Sequence, residues 1–219
     1  MHWSEFVFPP TCPGCGTEVW HRGEMVRKSC FNELYDVRHV TDLDGLALRE
    51  VYVIGHYDKG LKSILGDIKF HGKKERVKWA TPFLYSFMVD PVHKLSFKPD
   101  YVVPIPVSAK KRVIRGYNQV DLLFKNWASW LGWYWLDCLE KIDSTQAMFS
   151  LGRVERKANM VNAFKAMEPL VKSGQLEGKS ILLVDDIFTT GATLESAAEV
   201  LKETYKVKNI VGVTLAGGH

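Results

Sequence analysis

The chain has 219 residues, of which 46% are hydrophobic and 25% charged, and its formal net charge at pH 7 is +4. These values suit a globular α/β domain with a small appendage, and the mild positive charge permits nucleic acid or polyphosphate partners without requiring them. No apolar run approaches the roughly 18 residues of a membrane span, and Glu5, Pro9 and Pro10 interrupt the apolar core that a signal peptide needs. We therefore expect a cytoplasmic protein without a membrane span.

Residues 1 to about 45 differ from the rest because they carry three of the four cysteines. Cys12 and Cys15 form a C-x-x-C turn with glycines around it, and Cys30 follows fifteen residues later. Cysteines of a cytoplasmic protein are more often metal ligands or free thiols than disulfides. The pattern predicts a small zinc-knuckle-like region over 1–45, followed by the main domain over 46–219.

A structural zinc site takes four ligands, so these three cysteines need one more. A second C-x-x-C would require cysteine at position 27 or 33, and the sequence has Arg27 and Glu33 there. His21 or His39 could complete a Cys₃His site, or Glu33 could supply an oxygen. The alternative is a degenerate knuckle that has lost its metal and persists as a packed turn. Zn²⁺ binding and the metal-free turn stay open at this point.

Residues 51–57 alternate and are rich in β-branched and aromatic side chains, which predicts a strand. A turn at 57–60 and a helix over 61–70 follow. The segment up to Trp79 is rich in lysine, and a solvated helix face explains most of these charges. Lys69 is the exception because it comes just before a glycine turn, and we predict that it binds a ligand.

Residues 101–107 predict a second buried strand, whose prolines cannot donate to a sheet and therefore end it near Pro104. A basic loop follows, with no acidic residue between Lys110 and Arg115. Because the planar arginine side chain matches phosphate with two hydrogen bonds, Arg112 and Arg115 are candidates for contacts with pyrophosphate. The alternative is an ordinary solvated loop.

A helix is predicted from Asn118 to Trp130, and its apolar residues recur near helical spacing. Trp127 and Trp130 could stack on nucleobases, but helical spacing favours packing in the core. Residues 134–142 resemble another strand, so Cys138 is expected to be a buried thiol and not a metal ligand.

The stretch from Ser180 to Leu194 holds the strongest signal in the chain. Residues 181–184 form a continuous apolar run, which is typical of a strand buried on both faces of a parallel sheet. Asp185 and Asp186 follow where ligands bind in open α/β sheets, outside the carboxyl ends of the strands. The loop then leads into a helical pattern, and its residues are Thr189, Thr190, Gly191, Ala192 and Thr193.

This arrangement fits a phosphorylated sugar. Asp185 and Asp186 would hold ribose hydroxyls, directly or through a divalent metal, and the loop would wrap the phosphate with hydroxyls and free N–H groups. The alternative is a buried strand, a turn and a capped helix with two acids at the sheet edge. Paired acids with a hydroxyl-glycine loop at this spacing favour the phosphate interpretation. Neither the Walker loop nor the dinucleotide G-x-G-x-x-G motif is present.

The motif L-L-V-D-D-I-F-T-T-G-A-T resembles the signature of type I phosphoribosyltransferases for 5-phosphoribosyl 1-pyrophosphate (PRPP). Further blocks resemble the ComF family of competence proteins, whose relatives include the GntX group. The blocks are Y-D-K-G-L, K-F-H-G, V-P-I-P-V, R-V-I-R-G-Y-N-Q and a T-Q to N-A-F stretch over 145–164. The family's usual second C-x-x-C is missing, since Arg27 stands where a cysteine is expected.

The resemblance implies a type I phosphoribosyltransferase fold, with a parallel sheet flanked by helices, that serves natural transformation. It also implies Mg²⁺ with PRPP, imported single-stranded DNA and a helicase-like ComF partner. Three functions remain in competition: a transformation protein that binds PRPP and DNA, a salvage or biosynthetic transferase that joins a base to ribose 5-phosphate, and a non-catalytic sensor. The sequence contains no identifiable element for recognising a base, and the family blocks favour the first.

Overall fold

The computed structural model describes residues 11–19, 26–43, 45–142, 163–168, 171–172 and 174–218, with Lys59 described by its backbone alone. Its main sheet has six strands in the order β1-β2-β8-β7-β3-β4, and a second sheet pairs β5 with β6. The strands are β1 Tyr35–Val40, β2 Glu50–His56, β3 Tyr101–Pro104, β4 Tyr134–Trp135, β5 Leu139–Lys141, β6 Phe164–Ala166, β7 Ser180–Phe188 and β8 Asn209–Gly217.

Helices cover both faces of the main sheet. They are α1 Lys28–Leu34, α2 Lys59–Phe70, α3 Val77–Val89, α4 Ala109–Arg115, α5 Gln119–Trp130 and α6 Ala192–Tyr205, with a 3₁₀ turn at Lys74–Arg76. One apolar core packs α1, α2, α3 and α5 on one face, and a second core packs α6 and the small sheet on the other. The sheet is therefore a middle layer, as expected for a type I phosphoribosyltransferase fold.

Strands β2, β8, β7, β3 and β4 run parallel, and β1 alone is antiparallel, at one edge. Strand β8 is buried over nearly its whole length, and β7 is buried at residues 181–184 and 186, because helices cover both faces. The predicted parallel sheet is confirmed, with an antiparallel edge strand that the sequence did not reveal. The strands near 51–57, 101–104 and 181–184 and the helix at 118–130 lie where predicted.

Three local predictions were wrong. Residues 110–115 form helix α4, because the Ser108 hydroxyl caps its start and Gly116, at φ +78°, ends it. The segment 134–142 is two short strands in different sheets, since β4 extends the main sheet and β5 pairs with β6.

The third wrong prediction concerns Trp130, which is 59% exposed and packs edge-on against Tyr85. Trp127 and Cys138 are buried, as expected.

The cysteine-containing region shares the core of the main domain. Cys12, Cys30, Leu34 and Val37 belong to the same buried cluster as α2 and α3, and β1 pairs with β2. The turn around Gly14 lies directly on Gly60, where an added Cβ would come 3.1 Å from the Gly14 Cα. The expected boundary near residue 45 therefore does not separate two cores.

Within the described ranges, no helix is both long and apolar enough to cross a bilayer. His21 and most of the polar stretch over 145–164 lie outside the described residues.

Candidate functional site

The aspartate pair lies in the last part of β7, between β3 and β8, at the edge where the parallel strands end. Asp185 sits opposite Thr214 of β8 in the strand register. Asp186 is buried, and its Oδ2 lies 2.8 Å from Nζ of Lys69, in the last turn of α2. Successive residues of a strand point to opposite faces. The two carboxyl groups therefore present acceptors on both sides of the same strand end.

The electrostatics of the pair favour a ligand that brings positive charge or hydroxyl donors. Burial, and secondarily the neighbouring Asp186 charge, raises the pKa of Asp185 to about 8. The contact between Lys69 and Asp186 is an ion pair without hydrogen-bond geometry, so Asp186 Oδ2 is a buried acceptor with no hydrogen bond among the residues that the structure describes. Buried acceptors left unpaired are uncommon in proteins. Carboxylate oxygens are also the ligands that Mg²⁺ prefers, so the donor set fits this ion.

Lys141, at the end of β5, is a further charge at this site that sequence reasoning missed. Its ammonium interacts electrostatically with Asp185 and Asp186, and burial lowers its pKa. No local motif marks this lysine, because β5 reaches the aspartates only through the tertiary packing of the small sheet. The acid pair is therefore flanked by Lys69 on one element and Lys141 on another.

The loop at 189–193 joins β7 to the start of α6. Gly191 has φ +80° and is the residue before the helix, a conformation that favours glycine. The Ala192 N–H donates to Thr190 Oγ1 at 3.4 Å. Thr189, Thr190 and Thr193 are exposed. A shallow pocket lies between this loop and Asp185, with Ile187 and Phe188 in its wall. Because the first N–H groups of a helix have no acceptor within the helix, the loop is suited to an anion.

Residues 41–43 and 45–49, between β1 and β2, lie against the start of α6. Glu195 in the first turn accepts hydrogen bonds from the N–H groups of Ala47 at 2.7 Å and Leu48 at 3.0 Å. Leu43 of the same segment approaches Gly191. This support of the loop was not predicted, since it links residues about 150 positions apart. These contacts tether the first turn of α6, and Gly191 before it, to the connection between β1 and β2.

Helix α4 follows β3 at the same edge, and its arginines make local contacts. Arg115 Nη1 donates to Oε1 of Gln119. Arg112 acts electrostatically on Asp121, whose pKa is nevertheless raised to about 6, mainly by burial. Lys111 is close enough to Lys141 to lower its pKa further. The structure thus brings Lys69 into contact with the aspartate pair, while the described contacts of Arg112 and Arg115 are with α5.

The Sγ atoms of Cys12, Cys15 and Cys30 all lie within 4.8 Å of one another. Three vertices of a tetrahedral thiolate site with Zn–S bonds near 2.3 Å require sulfur separations of roughly 3.8 Å, so the cluster fits a zinc ion with a small adjustment. Hydrogen bonding with Thr17 lowers the pKa of Cys15 to about 6, while burial raises the pKa of Cys30 to about 11.

Arg27 lies beside this cluster. Its backbone N–H is 3.4 Å from Cys12 Sγ, and its Nη1 is 4.0 Å from Cys15 Sγ. His39 is engaged elsewhere, since its Nε2 lies 2.6 Å from Glu50 and its ring stacks on Tyr52. Among the residues that the structure describes, neither His39 nor Glu33 joins the three thiols. The structure thus excludes His39 as the fourth ligand.

The family described as Phosphoribosyl transferase domain matches residues 146–219, which include the aspartate pair and its loop. Competence protein F of Haemophilus influenzae is 27% identical over 89% of this chain and 79% of its own length. Competence protein ComFC of Bacillus subtilis is 28% identical over 93% and 76%. The DNA utilization protein YhgH of Escherichia coli K12 is 32% identical, over 47% and 43%.

The sheet, the site and the domain match together define a protein of the phosphoribosyltransferase fold. The relatives identify the family within this fold class, because the similarity to both competence proteins extends over nearly the whole chain. The chain belongs to the ComF family. The resemblance inferred from the sequence blocks is confirmed.

Proposed function

We propose that this protein binds PRPP or a related phosphoribosyl ligand, together with Mg²⁺, at Asp185, Asp186 and the loop at 189–193. We further propose that it acts in natural competence, in the uptake and handling of single-stranded DNA. The observation that carries the proposal is the pair of carboxyl groups at the end of β7, followed directly by a glycine-containing loop at a helix start. The names of the similar competence proteins support the wider role.

In this proposal each group has a separate part. Asp185 and Asp186 accept hydrogen bonds from ribose hydroxyls and hold the metal. The loop at 189–193 donates N–H and O–H groups to the ligand's phosphate. Bound Mg²⁺ would supply positive charge against the pyrophosphate group. Lys69 balances the charge of Asp186 while the site is empty of ligand.

The DNA part of the proposal draws on the charge of α4. Lys110, Lys111 and Arg112 are exposed on this helix, which starts close to the edge where β3 ends. Phosphate backbones bind such cations with little regard to base sequence. A helicase-like partner would deliver or receive the strand if the contact is indirect.

Titration calorimetry with PRPP and Mg²⁺, in the absence and presence of a single-stranded oligonucleotide, tests the proposal. We expect saturable PRPP binding that requires Mg²⁺. A protein that binds neither PRPP nor ribose 5-phosphate would refute the phosphoribosyl assignment. Release of pyrophosphate when a nucleobase is added would instead identify a conventional transferase.

A further inference from the structure

Arg38, on the edge strand β1, carries two buried hydrogen-bond donors without acceptors. Its Nε and Nη2 are shielded from solvent and have no hydrogen-bond partner in the described part of the chain. These two N–H groups point in the same direction and form the side of the guanidinium that binds an anion with two parallel bonds. Orphan buried donors are rare and call for an explanation, such as an absent ion or ligand.

The register of the sheet places Arg38 in line with the aspartate pair. Arg38 pairs with Val53, Val53 with Thr214, and Thr214 with Asp185, so the four residues cross the sheet in one row. The Thr214 hydroxyl in this row is likewise buried, with no hydrogen-bond partner among the described residues. The row ends at the candidate site.

The guanidinium reaches the edge where the parallel strands end. Arg38 Nη2 lies 2.8 Å from the position of a Cβ added to Gly217, the last residue of β8, and the Phe188 carbonyl oxygen lies 3.2 Å from the same point. Phe188 immediately precedes the loop at 189–193. Gly217 thus leaves space for a cation beside the loop, and any larger residue would displace it.

The loop itself offers hydroxyls and N–H groups but no cation. Lys69 is paired with Asp186, on another side of the strand end. We propose that Arg38 is a binding residue for the phosphate monoester held by the loop at 189–193, and that it donates from Nε and Nη2. This inference rests on the proposed function, since it names the group that neutralises the ligand's phosphate at that same site.

The test compares Arg38→Met, Arg38→Lys and the control Arg49→Met by calorimetry with ribose 5-phosphate and, separately, PRPP with Mg²⁺. Arg49 is exposed just before β2, at the opposite end of the strand, so its replacement removes the same charge away from the loop. Loss of a charge-assisted pair of hydrogen bonds predicts about 10- to 100-fold weaker binding of ribose 5-phosphate by Arg38→Met. Arg49→Met should match the wild type.

The results distinguish a failure of the proposed function from a failure of the Arg38 assignment. If the wild type binds neither ligand, the proposed function itself fails. If the wild type binds and Arg38→Met binds equally well, or loses only thermal stability, the assignment of Arg38 fails alone. Arg38→Lys keeps the charge without the planar fork and covers the case in which Arg38→Met does not fold. Its affinity should fall several-fold, and wild-type affinity would overturn the proposed fork.

Discussion

At the scale of single residues, the site depends on two adjacent carboxyl groups that no simple structural need explains. A buried strand end does not require Asp185 and Asp186, and within the described part of the chain Asp186 Oδ2 lacks a hydrogen bond although it is buried. Each group would gain stabilisation from a bound ligand. The pair therefore lowers the stability of the free protein and favours binding of a ligand, as is common at functional sites.

We predict that replacing both Asp185 and Asp186 by asparagine abolishes binding of PRPP with Mg²⁺ and leaves the protein folded. Hydrogen bonds to charged groups contribute about 1.5–3 kcal/mol each, so the affinity should fall by roughly 100-fold or more. Calorimetry measures the affinity and circular dichroism the fold. Glu203→Gln, an exposed carboxylate near the far end of α6, is the control. Unchanged affinity would refute the assignment, and an unfolded double variant would make the acids structural.

The raised pKa of Asp185 predicts a pH dependence of stability in the ligand-free protein. Its pKa is about 8 when folded, above the value near 3.9 of an unfolded chain, so the folded state holds an extra proton between these values. This contribution to stability is fully present below about pH 4 and is lost as the pH rises towards about 8.

Thermal unfolding of the wild type and of Asp185→Asn at several pH values between 5 and 8 measures this effect. The difference in melting temperature between the two proteins should shift steadily in favour of the variant as the pH rises. A difference that does not change with pH would show that Asp185 is ionised throughout this range.

At the scale of elements, the sequence predicted the strands and helices that a short local pattern of residues marks. The continuous apolar run at 181–184 predicted β7. The prolines after Val103 predicted the end of β3. Helix α4 carries no buried apolar stripe, because its seven residues include four cations and expose Val113 and Ile114, so its sequence pattern predicts a loop. Lys141 and Arg38 were missed for another reason: only strand pairing and packing bring them to the site.

The cysteine turn should bind zinc weakly or substoichiometrically, because only three thiols meet and Arg27 lies beside them. Replacing Arg27 by cysteine should complete the site and give one tightly bound zinc per chain. Metal analysis of protein purified without chelator measures both. Ser63→Cys, exposed on α2, controls for an added thiol.

A full equivalent of zinc in the wild type would contradict this expectation and indicate a fourth ligand. His21 lies outside the described residues, and His21→Ala would then be the variant to examine. Complete absence of zinc from Arg27→Cys as well would leave the turn purely structural.

At the scale of the whole molecule, the positive charge of α4 and the ligand edge form one surface to test against DNA. Replacing Lys110, Lys111 and Arg112 by glutamine should reduce the salt dependence of single-strand binding. The logarithm of the binding constant falls by about 0.7 per phosphate contact for each unit of log salt concentration. The slope should therefore become shallower by the contribution of roughly two to three phosphate contacts. Fluorescence anisotropy at several salt concentrations, including one near the physiological value, gives the slope.

The matched control neutralises Lys172, Lys206 and Lys208, which are exposed near the end of α6 and the start of β8. It removes the same charge, so an equal change in slope would mean non-specific attraction to a basic protein. If PRPP binding drops and DNA binding does not, the cations of α4 serve pyrophosphate. If the wild type binds no single strand near physiological salt, the role in transformation runs through a partner protein.

The antiparallel position of β1 also determines how the chain can be shortened. β1 covers the edge of β2, whose Val51, Val53 and Ile54 are completely buried. A chain that starts at residue 46 would expose this apolar strand edge, which is a template for intermolecular pairing, and would uncover Gly60. Such a fragment should aggregate. We therefore expect the cysteine-containing segment to protect this edge of the phosphoribosyltransferase fold from intermolecular pairing.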